Sequence, residues 1–162
     1  MRARSVAVAG CLAAALRDAG ASGLIVPDLP LEEAPAILEA CDEAGIALVP
    51  LVAPTTPDER LARIGARARG FLYTVSLTGT TGERVALAET FGAVVGRAKA
   101  HTTVPVALGF GISTPEHAAQ AAAAGADGVI VGSRLVRAAA ESADPAAEVR
   151  RLVAELAAAL RG

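Results

Sequence analysis

A helical run, an Ala-Gly or a lone Gly, and then a short apolar strand succeed one another four times along the chain: LRDAGASGLIVPD, CDEAGIALVPLV, RARGFLYTVS and AAAGADGVIVGS. Gly20, Gly45 and Gly70 stand 25 residues apart. Each suits the position just past a helix, where the backbone takes positive φ. The runs that follow, residues 24–26, 47–52, 71–75 and 129–131, are continuous and apolar, and residues 104–108 make a fifth. Short unbroken apolar runs fit parallel strands covered on both faces. The helices between them carry start signals: Thr56-Pro57-Asp58-Glu59, Ser113-Thr114-Pro115-Glu116 and Asp144-Pro145. Each places a capping side chain before a proline. In the last helix, Val149, Leu152, Val153, Leu156 and Leu160 fall on one face.

Strands alternating with helices predict an α/β fold. A (β/α)₈ barrel fits the 25-residue spacing, but needs eight strands and typically about 250 residues. With 162 residues, five such units form either part of a barrel or a small open sheet. Nothing resembling a linker divides the chain, so residues 1–162 are expected to form a single domain.

Composition narrows the partners. Fifteen Lys and Arg stand against 17 Asp and Glu, a formal charge of −2, which is not the basic surplus of a nucleic-acid binder. Trp is absent, Tyr is single and Phe occurs 3 times, which leaves little to stack on bases or to form a membrane belt. No uncharged apolar run is long enough to span a bilayer. The start, MRARSVAVAGC, imitates a lipoprotein leader, but its apolar stretch runs only from Ser5 to Gly10 before Cys11. It continues through Leu12 and Leu16 in a helical pattern, so a helix is expected there. Cys11 and Cys41 form no CxxC pair and read as two small buried hydrophobes in a reducing, cytoplasmic setting.

In either architecture, chemistry gathers at the C-terminal ends of the strands. Two of these ends stand out. Gly109-Phe110-Gly111-Ile112-Ser113 leads into a capped helix, and Gly132-Ser133 leads into a helical stretch at 134–138. Either alone is an ordinary tight turn. Together, at consecutive strand ends, they predict a phosphate held by backbone N–H groups at helix starts, with no lysine in either turn. Arg134 is read as lying on the outer helix face. The stretch Ser76-Leu77-Thr78-Gly79-Thr80-Thr81-Gly82 predicts a polar loop able to close over a ligand, with Gly82 a further donor. Acid–base candidates are few. Asp28 is the one carboxylate directly at a strand end; Glu83 lies past the loop; Asp127 and His101 sit at the opposite ends; His117 is read as an exposed helix residue. There is no nucleophile with a base beside it, no paired carboxylate and no metal-ligand spacing.

GLIVPDLPLEE, FLYTVSLTGTTG, the GFGIST turn and the VIVGS turn, in this order and spacing, resemble the α chain of tryptophan synthase. The resemblance spans nearly the whole chain but only about the C-terminal three-fifths of a family member. It implies a partial (β/α)₈ barrel of five parallel strands without the first three βα units. It implies a lyase that cleaves indole-3-glycerol phosphate to indole and glyceraldehyde 3-phosphate in tryptophan biosynthesis. The partner would be a β subunit, which carries pyridoxal phosphate; no cofactor is expected in this chain. By resemblance, Gly82, Gly111, Gly132 and Ser133 hold the substrate phosphate, and Ile25, Tyr73, Thr81 and Phe110 line the indole and glycerol pocket.

The family's two catalytic carboxylates lie on the second strand and the loop after it, for which this chain has no counterpart. Asp28 matches neither, so no catalytic residue is assigned and impaired turnover is expected. Leu77 and Thr80 also depart from the family's usual loop residues. Two alternatives stay open: a non-catalytic phosphate-binding or partner-modulating module, and another phosphate-binding barrel enzyme. Bare strand edges also predict marginal stability or self-association.

Overall fold

The recurring glycines end helices. Three helix ends close with one hydrogen-bond pattern: Gly20 N donates to Arg17 O and Ala21 N to Leu16 O; Gly45 and Ile46 do the same to Asp42 and Cys41; Gly125 and Ala126 to Ala122 and Ala121. All three glycines have positive φ, at 83°, 71° and 87°. This is the Schellman closure, which turns the chain sharply into the next strand. Gly70 does not end a helix as expected: α3 stops at Gly65 with Ala66 in the C-cap position, and Gly70, at φ 69°, turns the segment between α3 and β4.

The computed structural model describes residues 2–75, 84–109 and 111–161. In chain order the elements are α1 (Arg2–Asp18), β1 (Gly23–Ile25), α2 (Ala34–Ala44), β2 (Ala47–Val49), β3 (Leu51–Val52), α3 (Asp58–Gly65) and β4 (Leu72–Val75). They continue with α4 (Arg84–Lys99), β5 (Val106–Gly109), α5 (Pro115–Ala123), β6 (Gly128–Ile130), α6 (Ser133–Glu141) and α7 (Pro145–Ala159). β1 pairs with β2, and β3, β4, β5 and β6 form a ladder in that order, every pair parallel. Parallel neighbours in chain order, joined by helices, form the wall of a partial (β/α)₈ barrel.

The run 47–52, expected as one strand, is two. Pro50 separates them and has no N–H to give to a ladder. Its carbonyl still accepts from Tyr73 N at 3.0 Å. The first half therefore pairs backward with β1 and the second half forward with β4.

Burial alternates with period two. Leu72, Val106 and Leu108 are completely buried on the outer face, beneath Phe91 and Val95 of α4, Ala118 and Ala121 of α5 and Leu156 of α7. Each such side chain contributes roughly 1.5–3 kcal/mol over exposure. Thr74 points the same way, also wholly buried, and its hydroxyl donates to Ala107 O at 2.9 Å. Tyr73, Val75 and Ala107 face inward and are only half-buried. A second, smaller core gathers Ala13 of α1, Ala40 and Cys41 of α2 and Leu48 of β2.

Several local expectations need correcting. Thr56 does not cap α3: its hydroxyl accepts from Ala53 N, closing the loop, and Pro57 takes the capping position. Arg97 of α4 holds that loop by donating to Pro54 O, Thr56 O and the Asp58 carboxylate, which it keeps below the usual aspartate range. Thr114 and Asp144 cap α5 and α7 as predicted, accepting from His117 N and Ala147 N. Cys11 is exposed on α1, whereas Cys41 is buried and its thiol pushed up by desolvation; both are free. Leu12 and Val153 also face solvent, against the apolar faces expected for α1 and α7. No described helix is long and apolar enough to cross a membrane.

Two glycines test two different constraints. A Cβ at Gly45 meets nothing, so Gly45→Ala costs only its left-handed φ, roughly 1–2 kcal/mol. A Cβ at Gly65 would run into the His101 carbonyl, where neither backbone can yield. Gly65→Ala is therefore expected to cost more than Gly45→Ala in urea denaturation, and the reverse order would contradict this packing.

Candidate functional site

The sheet's register decides which turns meet. Val75 lies beside Gly109 and Gly109 beside Ile130, so the chain leaves β4, β5 and β6 at adjacent points along one rim. The segments that leave there are residues 76–83, the Gly111 turn and the Gly132-Ser133 turn. Residues 76–83 and Phe110 lie outside the described residues, so the positions of Thr81, Gly82 and Phe110 do too.

The turn after β5 is anchored from beneath. Ile112 is buried in the main core, while Gly111, one residue before it, is exposed with φ 79°. Only glycine takes that φ without strain. The helix that follows is capped by Thr114, with Pro115 in its first turn. Around this cap lies a contact that the sequence did not announce. His117 is half-buried, not exposed as expected, and its Nδ1 sits 3.4 Å from both the backbone N and the hydroxyl of Ser113. The signal was a histidine in the third position of a capped helix, where Glu or Gln more often reaches back.

The turn after β6 is built differently. α6 runs from Ser133 to Glu141, longer than the stretch expected, and no side chain caps it. Gly132 holds the capping position at φ −114°, and a Cβ there would meet nothing within 4 Å. Neither positive φ nor crowding demands a glycine. What its missing side chain leaves is clear space in front of uncapped helix N–H groups, exposed together with Ser133. Such a helix start attracts an anion through its free donors and its dipole. The Glu148 carboxyl of α7 is held low chiefly by its hydrogen bonds from Arg151, with the charge of half-buried Arg134 adding least.

Tyr73 rises from β4 on the inner face, its ring lying against Gly109 of β5, where a Cβ would strike the ring's far end. This contact leaves a half-buried aromatic surface beside the glycine turns. Ile25 lies on β1, in the other ladder, and is 41% exposed. The structure thus brings Gly111, Gly132, Ser133 and Tyr73 to neighbouring strands and leaves Ile25 in the other ladder. Asp28 is exposed in the turn after β1, where Leu29 N donates to Val26 O. Asp127 is at the opposite rim, bound by Lys99 and by Val106 N, both of which hold its carboxyl low. Among the described residues no group of three His, Cys, Asp or Glu could hold a metal.

A cavity of about 150 Å³ opens elsewhere, between α2 and α3 where the ladder breaks at Pro50. Leu38, Leu48 and Ile64 line it, and the Arg60 guanidinium beside it binds Glu32 through both carboxylate oxygens at 3.1 Å. Ala34, at the start of α2, also lines it, but neither glycine turn does, and the candidate site is the rim that carries both turns.

Comparison with known proteins agrees with this geometry. A family model described as tryptophan synthase alpha chain matches residues 6–161. A tryptophan synthase alpha chain from Gloeobacter violaceus is 53% identical over 122 residues, which are 75% of this chain and 44% of that protein. The solved subunit alpha from Legionella pneumophila superposes with a TM-score of 0.82 at 35% identity, covering 94% of this chain and 57% of that one. The tryptophan synthase α2β2 complex from Pyrococcus furiosus gives a chain at 0.84 and 39%, with coverage of 93% and 61%. The chain spans about half the length of the curated relatives it matches.

Tyr73 is the single tyrosine and there is no tryptophan, so tyrosine optics report this one ring. Gly109→Ala is expected to swing the ring away, changing tyrosine fluorescence and near-ultraviolet dichroism. Its stability cost should stay near the low end of the roughly 1–3 kcal/mol typical of overpacking, because only the ring tip is displaced. Unchanged spectra would show that Tyr73 does not rest on Gly109.

Proposed function

The chain belongs to the tryptophan synthase alpha chain family, and on that footing we propose that it carries the phosphate-holding half of an indole-3-glycerol phosphate lyase site. The observation that carries the proposal is Gly132, a glycine that neither steric crowding nor backbone φ requires, in front of an uncapped helix beside the Gly111 turn. Backbone N–H groups of Gly111, Gly132 and Ser133 take the substrate's phosphate. Gly82 and Thr81 join them from the segment after β4. The indole and glycerol parts extend along the inner face past Tyr73, and Phe110 and Ile25 are the further pocket residues this reading assigns.

Holding the phosphate is one part of the reaction. Retro-aldol cleavage breaks the bond between indole and the glycerol chain. A proton must be delivered to the indole carbon, and another withdrawn from the hydroxyl of the carbon that becomes an aldehyde. Of the described carboxylates, Asp28 is exposed after β1, Asp127 is engaged at the opposite rim, and Glu116 lies in the first turn of α5. We therefore assign to these residues binding and orientation, and turnover to catalytic carboxylates outside this constellation. A tryptophan synthase β subunit is the proposed partner, by analogy with the α2β2 complex among the similar structures.

The test pairs binding with turnover. The 162-residue chain should bind sn-glycerol 3-phosphate in calorimetry, and Gly132→Val, which fills the clear space, should weaken binding at least about tenfold. Indole release from indole-3-glycerol phosphate should be absent, with or without an added β subunit. Undiminished binding by Gly132→Val would remove the phosphate assignment. Measurable indole release by the chain alone would show that the proton-transfer groups are within it.

A further inference from the structure

α5 already has what a helix start needs: the Thr114 hydroxyl accepts from His117 N at 3.3 Å, and Pro115 stands in its first turn. His117 is the third residue of that helix. In the usual reciprocal arrangement, the side chain at this position returns to the amide of the capping residue itself. Here it reaches one residue further, to Ser113, which lies outside the helix in the turn after β5. The imidazole therefore restrains the turn and not the helix. Accepting from the Ser113 amide requires an Nδ1 without a proton.

Ile112 is fixed by burial in the core, and Gly111 is exposed. Between the buried anchor and the helix cap, Ser113 has the His117 ring as its side-chain contact. A backbone donor holds an anion well only if it is positioned beforehand, since ordering it on binding costs affinity.

We propose that His117 is a positioning residue of the anion site, holding the amide and hydroxyl of Ser113 through Nδ1 so that the Gly111 turn keeps the shape that presents its backbone donor to a phosphate group. This rests on the phosphate reading given above and adds a residue to it. His117 touches neither the phosphate nor the reacting atoms.

Three variants of the 162-residue chain, His117→Ala, His117→Gln and Thr114→Ala, separate the roles, with sn-glycerol 3-phosphate as the probe. His117→Ala should bind it about fivefold more weakly, with only a small change in melting temperature. His117→Gln, whose amide oxygen can accept from the Ser113 N–H, should recover most of the affinity. Thr114→Ala should show the opposite balance, with the larger loss in melting temperature, because it removes the helix cap. Equal affinity in the wild type and His117→Ala would overturn the proposal, as would an equal loss in both His117 variants. If the wild-type chain does not bind the probe at all, the phosphate reading itself fails, which is a distinct result.

Discussion

The open rim of this molecule is held in place by what lies beneath it. Leu72, Val106 and Leu108 are buried without exposure under α4 and α5, and the ladder between β4 and β5 is pinned by that contact. A strand shifted by one residue would turn these side chains toward the inner face and bring Tyr73 into the core. Register is thus fixed by apolar burial on one side and expressed as chemistry on the other. Because Val75 meets Gly109 and Gly109 meets Ile130, the turns after β4, β5 and β6 emerge together. Ile112 extends the same core into the Gly111 turn itself, so the candidate site stands on the most deeply buried part of the fold.

The second half of the architecture is more loosely joined. α1, β1, α2 and β2 share their own small core, and the ladder passes from one group to the other through Pro50. A proline at that point still offers its carbonyl to Tyr73 N, so the wall remains continuous in space while its ladder is interrupted. Among the described residues, the large apolar side chains left exposed are Val8 and Leu12 on α1, Ile25 on β1, and Val136 and Val153 on α6 and α7.

Much of this was legible from residue patterns, because it depends on local chemistry. The glycines at 20, 45 and 125 announce helix ends, and all three close them in the same way. Thr114 and Asp144 cap helices, as their positions before proline suggest. What escaped notice depends on partners distant in the chain. Pro50 reads as part of an apolar run until both neighbouring strands are seen to compete for it. Thr56 has the sequence of a cap, but bonds to Ala53 because Arg97, far along the chain, holds the loop's other carbonyls. Cys11 looked apolar enough to bury, yet α1 presents it to solvent. At the candidate site the glycines of the turns after β5 and β6 were readable as turns. His117 was not, since its significance lies in a contact one residue outside the helix that carries it.

The central claim is that backbone amides at two neighbouring turns jointly receive a dianion. Amide-resolved NMR during titration with sn-glycerol 3-phosphate tests it most directly. The account predicts that Gly111, Gly132 and Ser133 shift first and along one saturation curve, with the amides of α1 and α2 unmoved. Shifts scattered over the arginine-bearing outer helices, or confined to the cavity between α2 and α3, would contradict it.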